Sequence, residues 1–159
     1  MKVPRRTRAR TRLYSPEERA RRDRTVWTLI QGLLAPLQFV VFLVSLVLVI
    51  RYLATGTGYG AASASIVVKT GVLLTIMVTG SIWEKVVFGR WLFAPAFFWE
   101  DVVSFGVIAL HLTYCWMLWD SSFAPLAEMA VALTAYAAYL VNAGQFLWKL
   151  RAARLEAPA

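Results

Sequence analysis

The segment TGSIWEKVVFGRWLFAPAFFWED, residues 79–101, decides the fold because it interrupts long apolar stretches with charges and aromatic rings. It holds three acids, two bases and eight aromatic residues or prolines. Acidic side chains at the rim of a membrane helix are costly to bury, so they usually have a partner or a function. The segment therefore predicts either a binding site for a flat, apolar ligand with some charge, or an interfacial anchoring belt.

The composition of the whole chain indicates a membrane protein. Of 159 residues, 59% are hydrophobic and 16% are charged, whereas soluble domains are about 45–50% apolar and about 25% charged. The single cysteine, Cys115, excludes an intramolecular disulfide and a cysteine-based metal cluster. The sequence has no phosphate loop, dinucleotide glycine fingerprint, HExxH motif or nucleophile elbow, which excludes several large classes of soluble enzyme.

Four apolar runs predict an all-α integral membrane protein, a four-transmembrane-helix bundle. Each run is close to the roughly 20 residues that cross the hydrocarbon layer; they cover residues 27–50, 65–83, 102–119 and 126–147. Residues 55–65 are rich in Gly and Ser and predict an exposed loop between the first two spans. Small residues at Ala130, Thr134 and Ala138 predict a helix-packing stripe in the fourth span.

The distribution of charge predicts the topology. Residues 1–25 carry ten Lys or Arg against three acids, which favours attraction to a membrane surface and control of topology over nucleic-acid binding. Ser15 and the Pro-Glu-Glu after it predict the start of a short helix in this tail. Lys and Arg also flank the second connection and the C-terminal end, while Arg51 alone flanks the first connection. The positive-inside rule predicts an N-in/C-in bundle, with a basic cytoplasmic tail at 1–25 and a membrane domain at 26–155.

The third span carries polar residues at helical spacing. Glu100, Ser104 and His111 fall within roughly 40° of one another on a helical wheel, and Glu100 and His111 are roughly 16 Å apart along the axis. A large substrate or a file of water molecules could span that distance, but a buried polar stripe that only joins helices is the structural alternative. Lys69, one turn inside the second span, is expected to extend its side chain to the interface.

Four runs of the chain are characteristic of one protein family. They are VWTLIQGLLAPLQFVVFLVSLVLVIRYLATG (26–56), ASIVVKT (64–70), TGSIWEKVVFGRWLFAPAFFWED (79–101) and NAGQFLWKLRAARL (142–155). From about residue 13 to 155 the chain resembles the vinyl bacteriochlorophyllide hydratases, called 2-vinyl in older numbering and 3-vinyl in newer numbering. The resemblance implies a lyase of bacteriochlorophyll biosynthesis in a bacterial inner or intracytoplasmic membrane. Such an enzyme adds water to the ring-A vinyl group of chlorophyllide or bacteriochlorophyllide and yields a 1-hydroxyethyl group.

Roles for individual residues follow from the chemistry and not from the resemblance. Hydration of a vinyl group needs a proton donor, a positioned water and an apolar slot, and it needs neither a redox cofactor nor a protein-bound metal, so magnesium is expected only inside the substrate. An acid beside an aromatic wall can keep a proton to donate, and Glu84 and Glu100 each follow a tryptophan. We therefore predict that Glu84 or Glu100 is the acid and that the other carboxylate, or Asp101, activates water.

The remaining polar and aromatic residues of the segment are predicted to bind the substrate. His111 would bind the substrate magnesium or donate a hydrogen bond to the ring, and Lys85 or Arg90 would hold the propionate. The walls of the slot would be Trp83, Trp91, Phe97, Phe98 and Trp99.

Three other functions remain open from the sequence. A pigment-binding or assembly scaffold would use the histidine and the aromatic rings without an acid. A small transporter would want an acid deep within a helix, whereas Glu84 and Glu100 lie at the rim. A purely structural subunit would need none of these residues. Expected partners are the pigment, the lipid bilayer and neighbouring pigment-synthesis enzymes, with no nucleic acid.

Overall fold

A computed structural model describes residues 13–155, which form five α-helices and no strand. The helices are α1 (Pro16–Arg24), α2 (Val26–Thr55), α3 (Tyr59–Phe88), α4 (Phe98–Asp120) and α5 (Pro125–Leu155). Residues 1–12, which hold more than half of the basic residues of the predicted tail, lie outside the described part of the chain.

The start of α1 is fixed by its own sequence. The Ser15 hydroxyl accepts a hydrogen bond from the backbone N–H of Glu18 at 3.1 Å, and the Glu18 carboxylate accepts one from the backbone N–H of Ser15 at 2.8 Å. This reciprocal capping box, with Pro16 in the first turn, satisfies N–H groups that a helix start leaves unpaired. The predicted helix start is therefore confirmed.

Helices α2 to α5 are all long and apolar enough to cross a membrane. The prediction of four spans is confirmed, but the helices extend beyond the predicted ends. A helix of 30 residues, such as α2 or α3, is about 45 Å long, which exceeds the roughly 30 Å of hydrocarbon. The ends of these helices therefore project into the interfacial layers.

The prediction of an exposed loop at residues 55–65 is correct only for its first residues. Only three residues separate α2 from α3, and the turn is made by Gly56 and Gly58, whose φ values are 69° and 89°. The small residues that suggested a loop lie in the first turns of α3, where Ala62 and Ser63 are buried. A small side chain there lets α3 pack closely, and local composition does not distinguish that use from a loop.

The bundle consists of two helical hairpins. Helix α2 packs mainly along α3, and α4 packs mainly along α5, with smaller contacts of α3 with α4 and of α2 with α5. The interior is built from aromatic and aliphatic side chains, and these include Phe42, Val49, Ile66, Leu73, Val107, Tyr114, Met129 and Tyr136. Many large apolar side chains of α2, such as Leu29, Leu33 and Val47, point outward, as expected for contact with lipid.

The predicted packing stripe on α5 is wrong within this chain. Ala130 and Thr134 are exposed and Ala138 is half-buried, while Ala132, Ala135 and Tyr136 face the bundle interior. The small residues occur around the whole helix, so their spacing alone did not identify the packed face.

Candidate active site

The connection between α3 and α4 brings two of the three predicted acids together. Glu84, in the last turns of α3, and Asp101, in the first turn of α4, are both buried, and their carboxyl groups interact directly. Seventeen positions separate them in the sequence, so the chain must reverse direction to bring them into contact. The result is a carboxyl pair at one end of the bundle.

Both acids also hold the connecting loop in place. Glu84 Oε2 accepts a hydrogen bond from the backbone N–H of Ala94 at 3.1 Å, and Asp101 Oδ2 accepts one from that of Phe93 at 2.7 Å. Phe93 has φ 57°, a left-handed conformation that is unusual for a residue other than glycine. Strained backbone of this kind persists where surrounding contacts enforce it, and it occurs often near functional sites.

Glu100, next to Asp101 in the chain, has a cation as its neighbour. Lys149 Nζ of α5 is 3.3 Å from Glu100 Oε2, which is an ion-pair distance. Lys149 Nζ donates its hydrogen bond to the carbonyl oxygen of Ala96. Glu100 Oε2 itself accepts no hydrogen bond from the described residues. The backbone carbonyl of Glu100 accepts from Ser104 Oγ at 2.8 Å and from Asn142 Nδ2 at 3.0 Å, which ties α4 to α5 at this level.

The five predicted wall residues do not form one wall. Phe97 is 3% exposed and packs in a cluster with Trp83, Phe88 and Tyr14 at the same end of the bundle as the carboxyl pair. Trp91 and Trp99, by contrast, are 60% and 68% exposed and point outward, as does Phe98. Trp83 and Phe97 therefore supply an inner aromatic surface, and the other three supply an outer one.

Lys85 and Arg90 both lie on the surface of the bundle end. Lys85 Nζ donates a hydrogen bond to the carbonyl oxygen of Gly89 at 3.0 Å and lies 5.9 Å from the centre of the Trp91 ring. Arg90 is exposed on the loop. The structure places both cations beside the outer aromatic surface and not within the buried carboxyl pair.

His111 is completely buried, and its two ring nitrogens both have partners. Nδ1 lies 2.8 Å from the carbonyl oxygen of Val107, and Nε2 lies 3.0 Å from Lys69 Nζ. Because a carbonyl can only accept, Nδ1 carries the hydrogen and Nε2 is the acceptor for Lys69.

The expectation that Lys69 reaches the interface is wrong. Its side chain is 0% exposed and points into the bundle, where its Nζ lies 4.1 Å from the centre of the Tyr139 ring. Its spacing from Ala62, Ile66 and Leu73, which form the buried face of α3, is the sequence signal that would have identified its direction.

On the side of Lys69 away from the carboxyl pair, the bundle interior contains polar groups that the sequence analysis did not predict. Tyr59 donates a hydrogen bond to Glu128, and the hydroxyls of Ser45 and Tyr136 share another. The buried Tyr114 hydroxyl lies beside the Ser63 hydroxyl, and within residues 13–155 neither forms a well-aligned hydrogen bond. These residues are ordinary components of apolar helices in the sequence, so only the three-dimensional arrangement shows that they face one another.

Fold and site together define an all-helical membrane protein with a buried carboxyl pair beside an aromatic cluster at one end of its bundle. The family model described as 2-vinyl bacteriochlorophyllide hydratase matches residues 14–152, and the chain belongs to that family. A protein of that name from Cereibacter sphaeroides is 68% identical over 148 residues, which cover 93% of this chain and 92% of the relative. Another, from Rhodobacter capsulatus, is 66% identical over 149 residues, 94% of this chain and 86% of the relative. No solved structure matches the chain at a significant level.

Proposed function

We propose that this protein is a hydro-lyase that adds water to the ring-A vinyl group of chlorophyllide or bacteriochlorophyllide in bacteriochlorophyll biosynthesis. Its membership of the hydratase family, over nearly the whole chain, supports this function. The protein works as a multi-pass protein of the bacterial cytoplasmic or intracytoplasmic membrane, with both termini and the loop between α3 and α4 on the cytoplasmic side. Product passes from there to neighbouring pigment-synthesis enzymes.

The carboxyl pair supplies the proton. Two carboxyl groups in direct contact hold one proton between them, because two adjacent negative charges repel strongly in an apolar environment. The protonated member of Glu84 and Asp101 gives its proton to the terminal vinyl carbon, and the inner carbon becomes a cation conjugated with the macrocycle. The direct contact between these two side chains is the observation that carries this assignment.

Glu100 activates the water. Its Oε2 is buried and accepts no hydrogen bond from the described residues, so it has a free lone pair for a water that enters with the substrate. The water oxygen bonds to the inner vinyl carbon, and the proton that it loses passes to Glu100. Proton exchange with solvent at the rim of the bundle then returns Glu100 and the carboxyl pair to their starting protonation states. Each turnover consumes one water. Trp83 and Phe97 exclude bulk water from the inner side of the site, while His111 contacts the substrate magnesium.

Isosteric variants test the carboxyl pair. Glu84→Gln and Asp101→Asn can still accept the loop N–H groups through their amide oxygens, but neither amide can donate the proton that a carboxylic acid donates. General acids typically contribute about 10²- to 10⁴-fold to rate, so we expect turnover to fall by at least about 100-fold in each variant while pigment binding persists. The measurement is hydration of vinyl chlorophyllide in membranes, followed by the mass gain of one water and by absorption.

Asp120→Asn is the matched control because Asp120 is an exposed acid at the opposite end of α4. It should turn over like the wild type. Wild-type turnover in folded Glu84→Gln and Asp101→Asn would show that the acids only hold the loop. Pigment that binds to wild type but is never hydrated would favour the scaffold function.

A further inference from the structure

Lys69 is the one charged side chain of the bundle that is completely buried, among the residues that the structure describes. Its Nζ donates to a neutral acceptor, His111 Nε2, and lies over the rings of Tyr139, Tyr136 and Phe42 at 4.1, 5.2 and 5.9 Å. Aromatic faces attract a cation, but they do not neutralise it. An ammonium group at membrane depth is expensive, so it indicates a function and a partner.

The acids of the described bundle interior all have other partners. Glu128 accepts from the Tyr59 hydroxyl near the opposite end, and Glu100 lies beside Lys149. Glu84 and Asp101 interact with each other and with the loop. None forms an ion pair with Lys69 in the described residues. The described interior therefore has a buried amine without an acidic partner.

We propose that Lys69 binds the carboxylate of the substrate's propionate side chain. This inference rests on the proposed function, because a chlorophyllide is a flat apolar macrocycle with one free carboxylate. The charge of that carboxylate is complementary to Lys69, and the rings of Phe42, Tyr136 and Tyr139 offer the macrocycle an apolar, aromatic contact. Lys69 Nζ has three N–H groups, so it can donate to the carboxylate; if it turns away from His111 to do so, His111 Nε2 is left free for the substrate magnesium.

Lys69 lies deeper in the bundle than the carboxyl pair. Lys69 and Glu84 are fifteen residues apart on α3, or roughly 22 Å along the helix axis, with side chains that extend from each end. The site at Lys69 is also enclosed, whereas Lys85 and Arg90 are exposed at the bundle end. A charge pair in an enclosed apolar site contributes more than one in water, so Lys69 is the stronger anchor.

Comparison of the free acid with its methyl ester tests the proposal. The dissociation constant and the turnover of vinyl chlorophyllide and of its methyl ester are measured for wild type, Lys69→Met and Lys85→Met. Hydrogen bonds to charged groups contribute enough for about a 10- to 100-fold effect, so wild type should bind the acid that much more tightly than the ester. In Lys69→Met the acid-to-ester preference should fall by about that same factor relative to wild type, while Lys85→Met should keep the wild-type preference. The acid and the ester partition differently into membranes, but this difference is the same for every protein, so it cancels when a variant's ratio is compared with that of wild type.

The outcomes separate this proposal from the proposed function. If wild type hydrates both pigments but binds them equally, Lys69 does not bind the carboxylate, although the hydratase assignment stands. If Lys85→Met loses the discrimination and Lys69→Met keeps it, the anchor is at the surface and the proposal is wrong. If wild type binds the acid preferentially but hydrates neither pigment, the hydratase function fails and the anion site stands. The helix content of Lys69→Met and its elution volume in size-exclusion chromatography show whether this variant folds. If it does not fold, Lys69→Gln is used in its place.

Discussion

At the scale of single residues, the interior of this bundle is more polar than its apolar sequence suggests. Buried tyrosines on α4 and α5 differ in whether their hydroxyls are satisfied. The Tyr136 hydroxyl hydrogen-bonds with Ser45, which also hydrogen-bonds with Ser65 at 2.7 Å. The Tyr114 hydroxyl lies beside the Ser63 hydroxyl but forms no well-aligned hydrogen bond among the described residues. A buried polar group without a partner costs about 1–3 kcal/mol, whereas a satisfied one contributes about 1 kcal/mol.

Replacing the two tyrosines by phenylalanine should therefore have opposite effects. Tyr114→Phe removes an unsatisfied hydroxyl and should raise the free energy of unfolding by about 1 kcal/mol. Tyr136→Phe leaves Ser45 with one partner fewer and should lower it by a similar amount. Unfolding in mixed micelles with increasing dodecyl sulfate measures both. A destabilised Tyr114→Phe variant would show that its hydroxyl has a partner, such as the Ser63 hydroxyl or a buried water.

At the scale of elements, α1 shows that a helix can be predicted locally while its position cannot. The capping box fixes where α1 begins, but Tyr14, just before it, determines where the helix packs. The Tyr14 ring stacks on Phe88 at 5.7 Å between centroids and contacts Phe97. Arg22 of α1 lies 4.8 Å from the centre of the same ring. Helix α1 is thus attached to the cluster that lies beside the candidate active site.

The packing of α1 should depend on alkaline pH through Tyr14. Burial raises the pKa of the Tyr14 hydroxyl above its ordinary value of about 10, because the charged form is poorly solvated there. The neutral Tyr14 hydroxyl therefore stabilises the packed position of α1 to its full extent below about pH 10. This stabilisation is lost as the pH rises through the raised pKa. In a background where the other six tryptophans are replaced by phenylalanine, fluorescence of Trp83, which belongs to the same cluster, should report release of α1 above pH 10. In Tyr14→Phe this change should disappear; the same alkaline transition in both proteins would contradict the prediction.

At the scale of the whole molecule, the two hairpins place nearly all basic groups of the described helices at one end. The ends of α3 and α5, the start of α4 and the whole of α1 lie there, with Lys85, Arg90 and Lys149. Arg51 is the basic residue near the opposite end. The number, type and order of the spans followed from the apolar runs, since a run of about 20 such residues crosses a bilayer whatever its neighbours are.

Single-cysteine labelling tests the topology. In a Cys115→Ser background, Arg90→Cys should react with a membrane-impermeant maleimide only when the cytoplasmic face is accessible. Thr57→Cys, in the turn between α2 and α3, should react only from the other face. Labelling of both positions from the same side would overturn the arrangement, because α3 would then not cross the membrane.

The sequence by itself determined the class of protein, the four spans, the capped start of α1 and the segment that carries the acids. These depend on composition, short-range spacing and caps, which act within a few residues. Only the tertiary structure decided that Glu84 meets Asp101 while Glu100 meets Lys149, because these contacts join different helices. It also decided that Lys69 points inward to His111, since the direction of a side chain depends on how its helix is rotated in the bundle. That rotation is determined by packing between distant segments, so no local pattern of residues predicts it.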